Sequence, residues 1–163
     1  MFAGADDFMD KVFSMLIEYN QLFRELDNLY HNYAKSCGLS DSTLWILYSI
    51  YEDKEIHTQK DLCESWSYSK QTVNSSMKNL IANGYIKLTA LSENRKNKQM
   101  ILTESGEELV QRFIAPLMNA EQNAFSRLSS DEQNKFLKLT KKHVDLLQAE
   151  IFNLTSDNNT NDV

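Results

Sequence analysis

The sequence predicts a mainly α-helical fold with one small β-hairpin, flanked by long helices at both ends. Three observations carry that expectation. Only one proline and four glycines occur in 163 residues, which leaves few places to end a helix. Met9, Val12, Leu16, Tyr19, Phe23, Leu26, Tyr30 and Tyr33 alternate at spacings of three and four, the period of one continuous helical seam. After Gly84 the pattern changes to two short runs, "YIKLTAL" and "KQMILT", separated by a polar loop, as in two strands of a hairpin.

The elements follow in order. Phe8, Phe13, Leu22 and Leu29 widen the first seam, so this helix has more apolar surface than one neighbour would cover. A monomer would expose a patch larger than soluble monomers tolerate, which predicts a homodimer. Cys37-Gly38 ends the helix, with Gly38 free to take the left-handed cap conformation. Ser40 caps a second helix that buries Leu44, Leu47 and Tyr48, and Thr58 caps a short third. Ser69 opens a fourth, with Val73, Met77 and Leu80 as its buried stripe and Asn83-Gly84 as its stop. Thr103 caps the helix after the hairpin, and Glu104, Glu107 and Glu108 suit its positive end. Pro116 predicts a kink or local break there. Ser129 and Glu132 have capping-box spacing and open the last helix, which Leu137, Val144, Leu147, Ile151 and Leu154 continue. The polar end "TSDNNTNDV" is expected to fray.

This order of helix, short helix, polar-faced helix, strand, basic loop and strand is that of a winged helix-turn-helix. One domain is expected over 1–163: flanking dimerisation helices at 8–36 and 104–155, the winged lobe at 39–103, and a disordered tail at 156–163.

Charge points the same way. Residues 66–100 hold six basic side chains against Glu93 alone, a net +5, whereas the whole chain is −6 and the remainder therefore −11. A basic island on an acidic body suits a face that meets a polyanion. With Val73 inward, the fourth helix turns Gln71, Asn74, Ser75 and Lys78 outward, hydrogen-bonding side chains suited to base edges in a major groove. Lys70, Lys78, Lys96 and Lys98 suit phosphates, which position the protein without specifying sequence. Arg95 lies in the middle of the loop, where a guanidinium can enter the adjacent minor groove.

The stretch "SKQTVNSSMKNLIANGYIKLTALSENRKNKQMILTESGEEL" resembles the core of the multiple-antibiotic-resistance regulator (MarR) family. The matching features are Ser69, Thr72 and Val73, then Leu80, Gly84 and Tyr85-Ile86, the basic wing, and Leu102-Thr103 with Gly106 leading into a long helix. "GLSDSTLWIL" resembles the second helix of the same family. The resemblance implies an obligate homodimer with intertwined first and last helices, bound to a pseudo-palindromic operator. It also implies repression, relieved by small ligands or oxidants. Ser69, Lys70, Gln71, Thr72, Asn74, Ser75, Lys78, Arg95, Lys96 and Lys98 are the expected DNA contacts. Two positions depart from the common pattern: Asn94 stands where many members have Asp before the wing arginine, and Ser75 where many have Arg. With Gln71 and Asn74 as readers and no arginine on that helix, an A·T-rich operator is expected.

Other readings weigh less. His31, Trp45, Tyr48 and Phe113 are candidates to line a pocket for a small aromatic or other effector, with ordinary core aromatics as the alternative. Cys37 and Cys63 have no basic run beside them and read as small buried hydrophobes. His31, His57 and His143 form no HxxxH or HxxH pair, so no metal is expected, and no cofactor. Gly4, Gly38, Gly84 and Gly106 make no phosphate-cradling loop, and no nucleophile–base–acid set occurs, which argues against an enzyme. The longest strongly apolar uncharged run, Ser42 to Tyr51, is ten residues, too short to cross a membrane. With no secretion-signal pattern at the start, a cytoplasmic location is expected. The rival class is a winged-helix module that binds a protein through the same polar face; the +5 island favours DNA.

Overall fold

The computed structural model describes residues 3–52, 58–66, 68–90 and 98–160. It contains α1 (Ala3–Ser36), α2 (Asp41–Glu52), α3 (Gln59–Trp66), α4 (Lys70–Ala82), β1 (Ile86–Ala90) and β2 (Lys98–Leu102). These are followed by α5 (Glu104–Leu109), a π-helical turn (Val110–Ile114), α6 (Ala115–Ser126) and α7 (Ser130–Thr160). None of the described helices is long and apolar enough to cross a membrane. The chain divides into two compact units, Met1–Pro116 and Leu117–Val163.

The core of the first unit lies mainly in the winged lobe, with Ala34 from α1 and Val110 and Ile114 from the π-helical turn added to it. Leu44 and Leu47 from α2, Leu62 from α3, Val73 and Leu80 from α4, and Ile86 and Met100 from the hairpin are all buried. The strands pair antiparallel, from Ile86 opposite Leu102 to Ala90 opposite Lys98. Thr58 bridges to Gln99, so the start of α3 is tied to the hairpin's second strand.

The ends of these helices are set by local chemistry. Ser40, Thr58, Ser69 and Thr103 each accept a hydrogen bond from a backbone N–H three residues on, filling an orphan donor of the first turn. At α1 and α4 the stop is a left-handed glycine, with φ of 72° at Gly38 and 74° at Gly84. In both places the next N–H reaches back five residues, Leu39 to the Ala34 carbonyl and Tyr85 to that of Leu80, each at 2.9 Å.

Gly106 has a different reason to be glycine. A Cβ there would lie 1.9 Å from the Tyr85 carbonyl oxygen. That carbonyl accepts from the Thr103 N–H at 3.0 Å, and the Thr103 hydroxyl donates to the Gly84 carbonyl. The end of α4 and the start of α5 thus form one tight joint.

Pro116 brings no sharp break. The helix instead widens just before it, where the Ala115 N–H bonds to the Val110 carbonyl five residues back. A wide turn is one way for a helix to accommodate a ring that would clash with the carbonyl four residues earlier. Tyr33 donates its hydroxyl to the Phe113 carbonyl in this turn at 2.6 Å, fastening α1 to it. Burial, and after it the nearby Cys37 thiol, hold the Tyr33 phenol above its usual pKa.

In the second unit, α6 and α7 meet at a short turn held by the expected capping box. The Ser129 N–H and hydroxyl both donate to the Glu132 carboxylate, at 2.8 and 2.7 Å, which lowers that group's pKa. Gln133 donates to the carbonyls of Phe125 and Leu128, and the Phe125 and Phe136 rings meet edge to face. The helix runs on to Thr160, into residues expected to fray. No glycine or proline in that stretch stops it.

Both flanking helices carry large uncovered apolar faces. On α1, Phe8, Phe13 and Leu29 are 63%, 63% and 67% exposed, and on α7 Phe152 and Leu154 are 70% and 65% exposed.

Candidate nucleic-acid interface

The candidate interface is built around α4. Its buried side carries Val73, Ser76, Met77 and Leu80. The helical period then leaves Gln71, Asn74, Ser75 and Lys78 exposed on the opposite side, as expected. Lys70 is exposed at the first position of the helix.

Ser69 and Thr72 have structural roles at this end. The Ser69 hydroxyl takes the Thr72 N–H at 3.1 Å and pairs with the Thr72 hydroxyl at 2.9 Å. The Ser75 hydroxyl turns back to the Gln71 carbonyl at 2.9 Å. Ser69, Thr72 and Ser75 therefore shape the first two turns of α4, while Gln71, Asn74, Lys70 and Lys78 extend from it.

Two partners were missed in the sequence. Gln59, at the start of α3, donates to the Asn74 amide oxygen at 2.7 Å, so Asn74 is oriented by its neighbour before any ligand arrives. Its amide N–H₂ remains the donor that Asn74 can offer. Deeper in the lobe, the hydroxyls of Ser42 on α2 and Ser76 on α4 pair at 2.7 Å. A half-buried polar pair beside an apolar contact helps fix the register of α4 on α2. Neither link has a sequence signature, since each joins residues on different helices.

The hairpin places Lys98 at the start of β2, exposed, and Lys87 on β1, also exposed. Arg95 and Lys96 fall in the span 91–97, outside the described residues, as does Asn94.

The four effector candidates are spread over several surroundings. The Trp45 ring stands against Tyr30 and Tyr48, with centroids 4.9 and 5.3 Å away. His31 points its Nδ1 at the Asp41 carboxylate, 3.0 Å away on the surface. Phe113 lines a cavity of about 750 Å³ together with Cys37, Asn79, Asn83, Tyr85 and Arg112, whose guanidinium sits 5.0 Å over the Phe113 ring. His31, Trp45 and Tyr48 do not line that cavity. Cys37 and Cys63 are both free thiols and half-buried. Among the described residues no group of three His, Cys, Asp or Glu side chains is placed to hold a metal ion.

A helix with a hydrogen-bonding outer face, seated on two shorter helices and followed by a two-stranded wing, defines a winged helix-turn-helix. Residues 38–96 match the MarR family, and this lobe is similar to that family. Solved structures agree in fold. A MarR-family regulator from Neisseria meningitidis superposes with a TM-score of 0.70 at 19% identity, covering 84% of this chain and 96% of its own. A putative MarR-family transcriptional regulator from Listeria monocytogenes, complexed with a 26mer DNA, gives 0.65 at 24% identity, with 83% and 89% covered. Staphylococcus aureus MarR, in complex with salicylate and kanamycin, gives 0.67 at 18% identity, with 90% and 98% covered. No curated protein sequence matches the chain significantly.

Proposed function

We propose that the chain is a sequence-specific, DNA-binding transcriptional regulator that works as a homodimer, represses from an A·T-rich, pseudo-palindromic operator, and is released by a small effector. The observation that carries this reading is the exposed face of α4. Gln71, Asn74 and Lys78 project from it, and Lys70 and Lys98 flank it. The amide side chains suit the N6/N7 edge of adenine, and the lysines suit phosphate. The DNA complex of the Listeria relative supports duplex DNA as the partner. The salicylate complex of the Staphylococcus aureus relative supports an effector, for which the cavity at Phe113 and Arg112 is the candidate site.

The uncovered apolar faces of α1 and α7 favour a dimer, since exposed patches of that kind mark association surfaces. Two copies would present their α4 helices about 34–36 Å apart, one turn of DNA. Sedimentation at micromolar concentration should return twice the 18.9 kDa chain mass. Selection from random duplexes should then return paired A·T-rich half-sites one turn apart. A clean monomer, or retention of all duplexes alike, would overturn the reading.

A further inference from the structure

The side chain that holds Asn74 is itself held. Gln59, half-buried at the first position of α3, donates its Nε2–H to the Asn74 Oδ1 at 2.7 Å. One residue earlier, Thr58 donates its N–H and hydroxyl to the Asp61 carboxylate, both at 2.8 Å. The Thr58 hydroxyl also accepts the Asp61 N–H at 3.3 Å. On its other side Thr58 bridges to Gln99 on β2. The Gln59 amide therefore starts from a helix end fixed twice, by its own cap and by the hairpin.

A side-chain amide has a direction. Its carbonyl accepts, its N–H₂ donates, and a half-turn of the terminal torsion exchanges the two ends. The adenine edge has the matching order, with N6–H₂ donating and N7 accepting. Asparagine fits that edge in one orientation and sets donor against donor in the other. An asparagine loose on a helix surface visits both, and the wrong one dilutes its discrimination. With Gln59 donating, the Asn74 oxygen is turned toward α3. Its second lone pair and its N–H₂ remain for a base.

We propose that Gln59 is a positioning residue for sequence reading, which sets the direction of the Asn74 amide and so decides the base edge that Asn74 matches. The consequence for reading rests on the proposed function, which puts α4 on DNA; the pairing of the two amides does not.

Substitutions at Gln59 in the full-length chain separate direction from packing. Lysine keeps a donor, glutamate offers only acceptors, and alanine offers neither. Affinities are compared between duplexes differing at the A·T pair where Asn74→Ala loses discrimination. The ratio is read, because a new charge at position 59 changes binding to all duplexes alike. The wild type should discriminate by about tenfold at that pair. Gln59→Lys should keep this ratio and Gln59→Ala should lose part of it. Gln59→Glu should lose it as fully as Asn74→Ala, although Asn74 is still present. Without DNA, the Asn74 side-chain amide protons are identified by their loss from the ¹H–¹⁵N spectrum of Asn74→Ala. One of them should exchange more slowly in Gln59→Glu than in the wild type, because it becomes the donor. If the lysine and glutamate variants fall equally, or Gln59→Glu keeps the wild-type ratio, the positioning role is wrong although α4 still reads DNA. Unchanged exchange in Gln59→Glu overturns it as well. If Asn74→Ala keeps the ratio at every position, Asn74 is no reader, and both the proposed reading and this inference fall. If no duplex binds at all, the proposed function fails on its own, and the exchange measurement still decides the pairing.

Discussion

Replacing Gly106 by alanine tests the joint between α4 and α5 and separates two reasons for a glycine. A Cβ at Gly106 would stand 1.9 Å from the Tyr85 carbonyl oxygen and 2.9 Å from its carbon, both backbone atoms with no flexible end to swing away. The backbone has to part, and overpacking of this kind costs about 1–3 kcal/mol. Parting also stretches the bond from the Thr103 N–H to the same oxygen, worth about 0.5–1.5 kcal/mol net. Alanine returns up to about 1 kcal/mol of helix propensity, since the site is inside α5. The expected net loss is about 2–3 kcal/mol, which for a chain of this size lowers the Tm by about 5–10 °C. Gly84→Ala is the internal control. Among the described residues nothing lies within 4 Å of its Cβ position, so the left-handed φ of 74° is what is penalised. That costs about 1–2 kcal/mol, or about 2–8 °C. Thermal unfolding followed by circular dichroism, with all proteins at one concentration, measures both. The reasoning fails if Gly106→Ala melts at or above Gly84→Ala.

Four further outcomes are expected. Gln71→Ala should lose discrimination at one A·T position worth about 1–3 kcal/mol in anisotropy titrations, and a G·C-preferring wild type would refute the assignment. Gln59→Ala should weaken the same preference as Asn74→Ala but by less, because it frees the Asn74 amide without removing it. Arg95→Lys should weaken binding most at sites flanked by a narrow A-tract, whereas Lys98→Ala should weaken all duplexes alike and flatten the salt dependence by about one phosphate. The Tyr33 phenol has a folded pKa raised above the 10.0 of the free side chain, so its contribution is fully present below pH 10 and is lost as pH rises through the folded value. Tyr33→Phe should cost about 1 kcal/mol at neutral pH, from the lost bond to Phe113, and reduce the loss of stability in alkaline urea melts.

Much of this fold was legible because its punctuation is local. Ser40, Thr58, Ser69, Thr103 and Ser129 cap the helices they were expected to cap, and Gly38 and Gly84 end two of them. The outward face of α4 followed from placing Val73 inward, because helical period settles the rest. What escaped was non-local or conformational. The Ser42–Ser76 and Gln59–Asn74 bonds join different helices, and neither residue type announces a distant partner. Pro116 marked a disturbance but not its form; a π-helical turn and a kink relieve the same clash. The effector candidates were aromatic residues grouped by type, yet Trp45 packs with Tyr30 and Tyr48 while Phe113 lines a cavity elsewhere. Aromatic character alone does not say which ring faces a void.

The hydroxyl caps also bear on how quickly the lobe assembles. Among the described residues, α2, α3, α4, α5 and α7 each draw their start from a serine or threonine within three residues of the N–H it holds. A boundary written at that range needs no distant contact to be chosen, so helical segments can form and dissolve on the microsecond scale while the chain is still open. The remaining search is mainly the docking of α2, α3 and α4 around Leu44, Leu62 and Val73, together with closure of a two-stranded hairpin. Mostly local topologies of this kind reach the native state in about milliseconds or less. In a refolding experiment the lobe should therefore report first and at a rate independent of dilution. Any phase that slows with dilution belongs to the meeting of two chains.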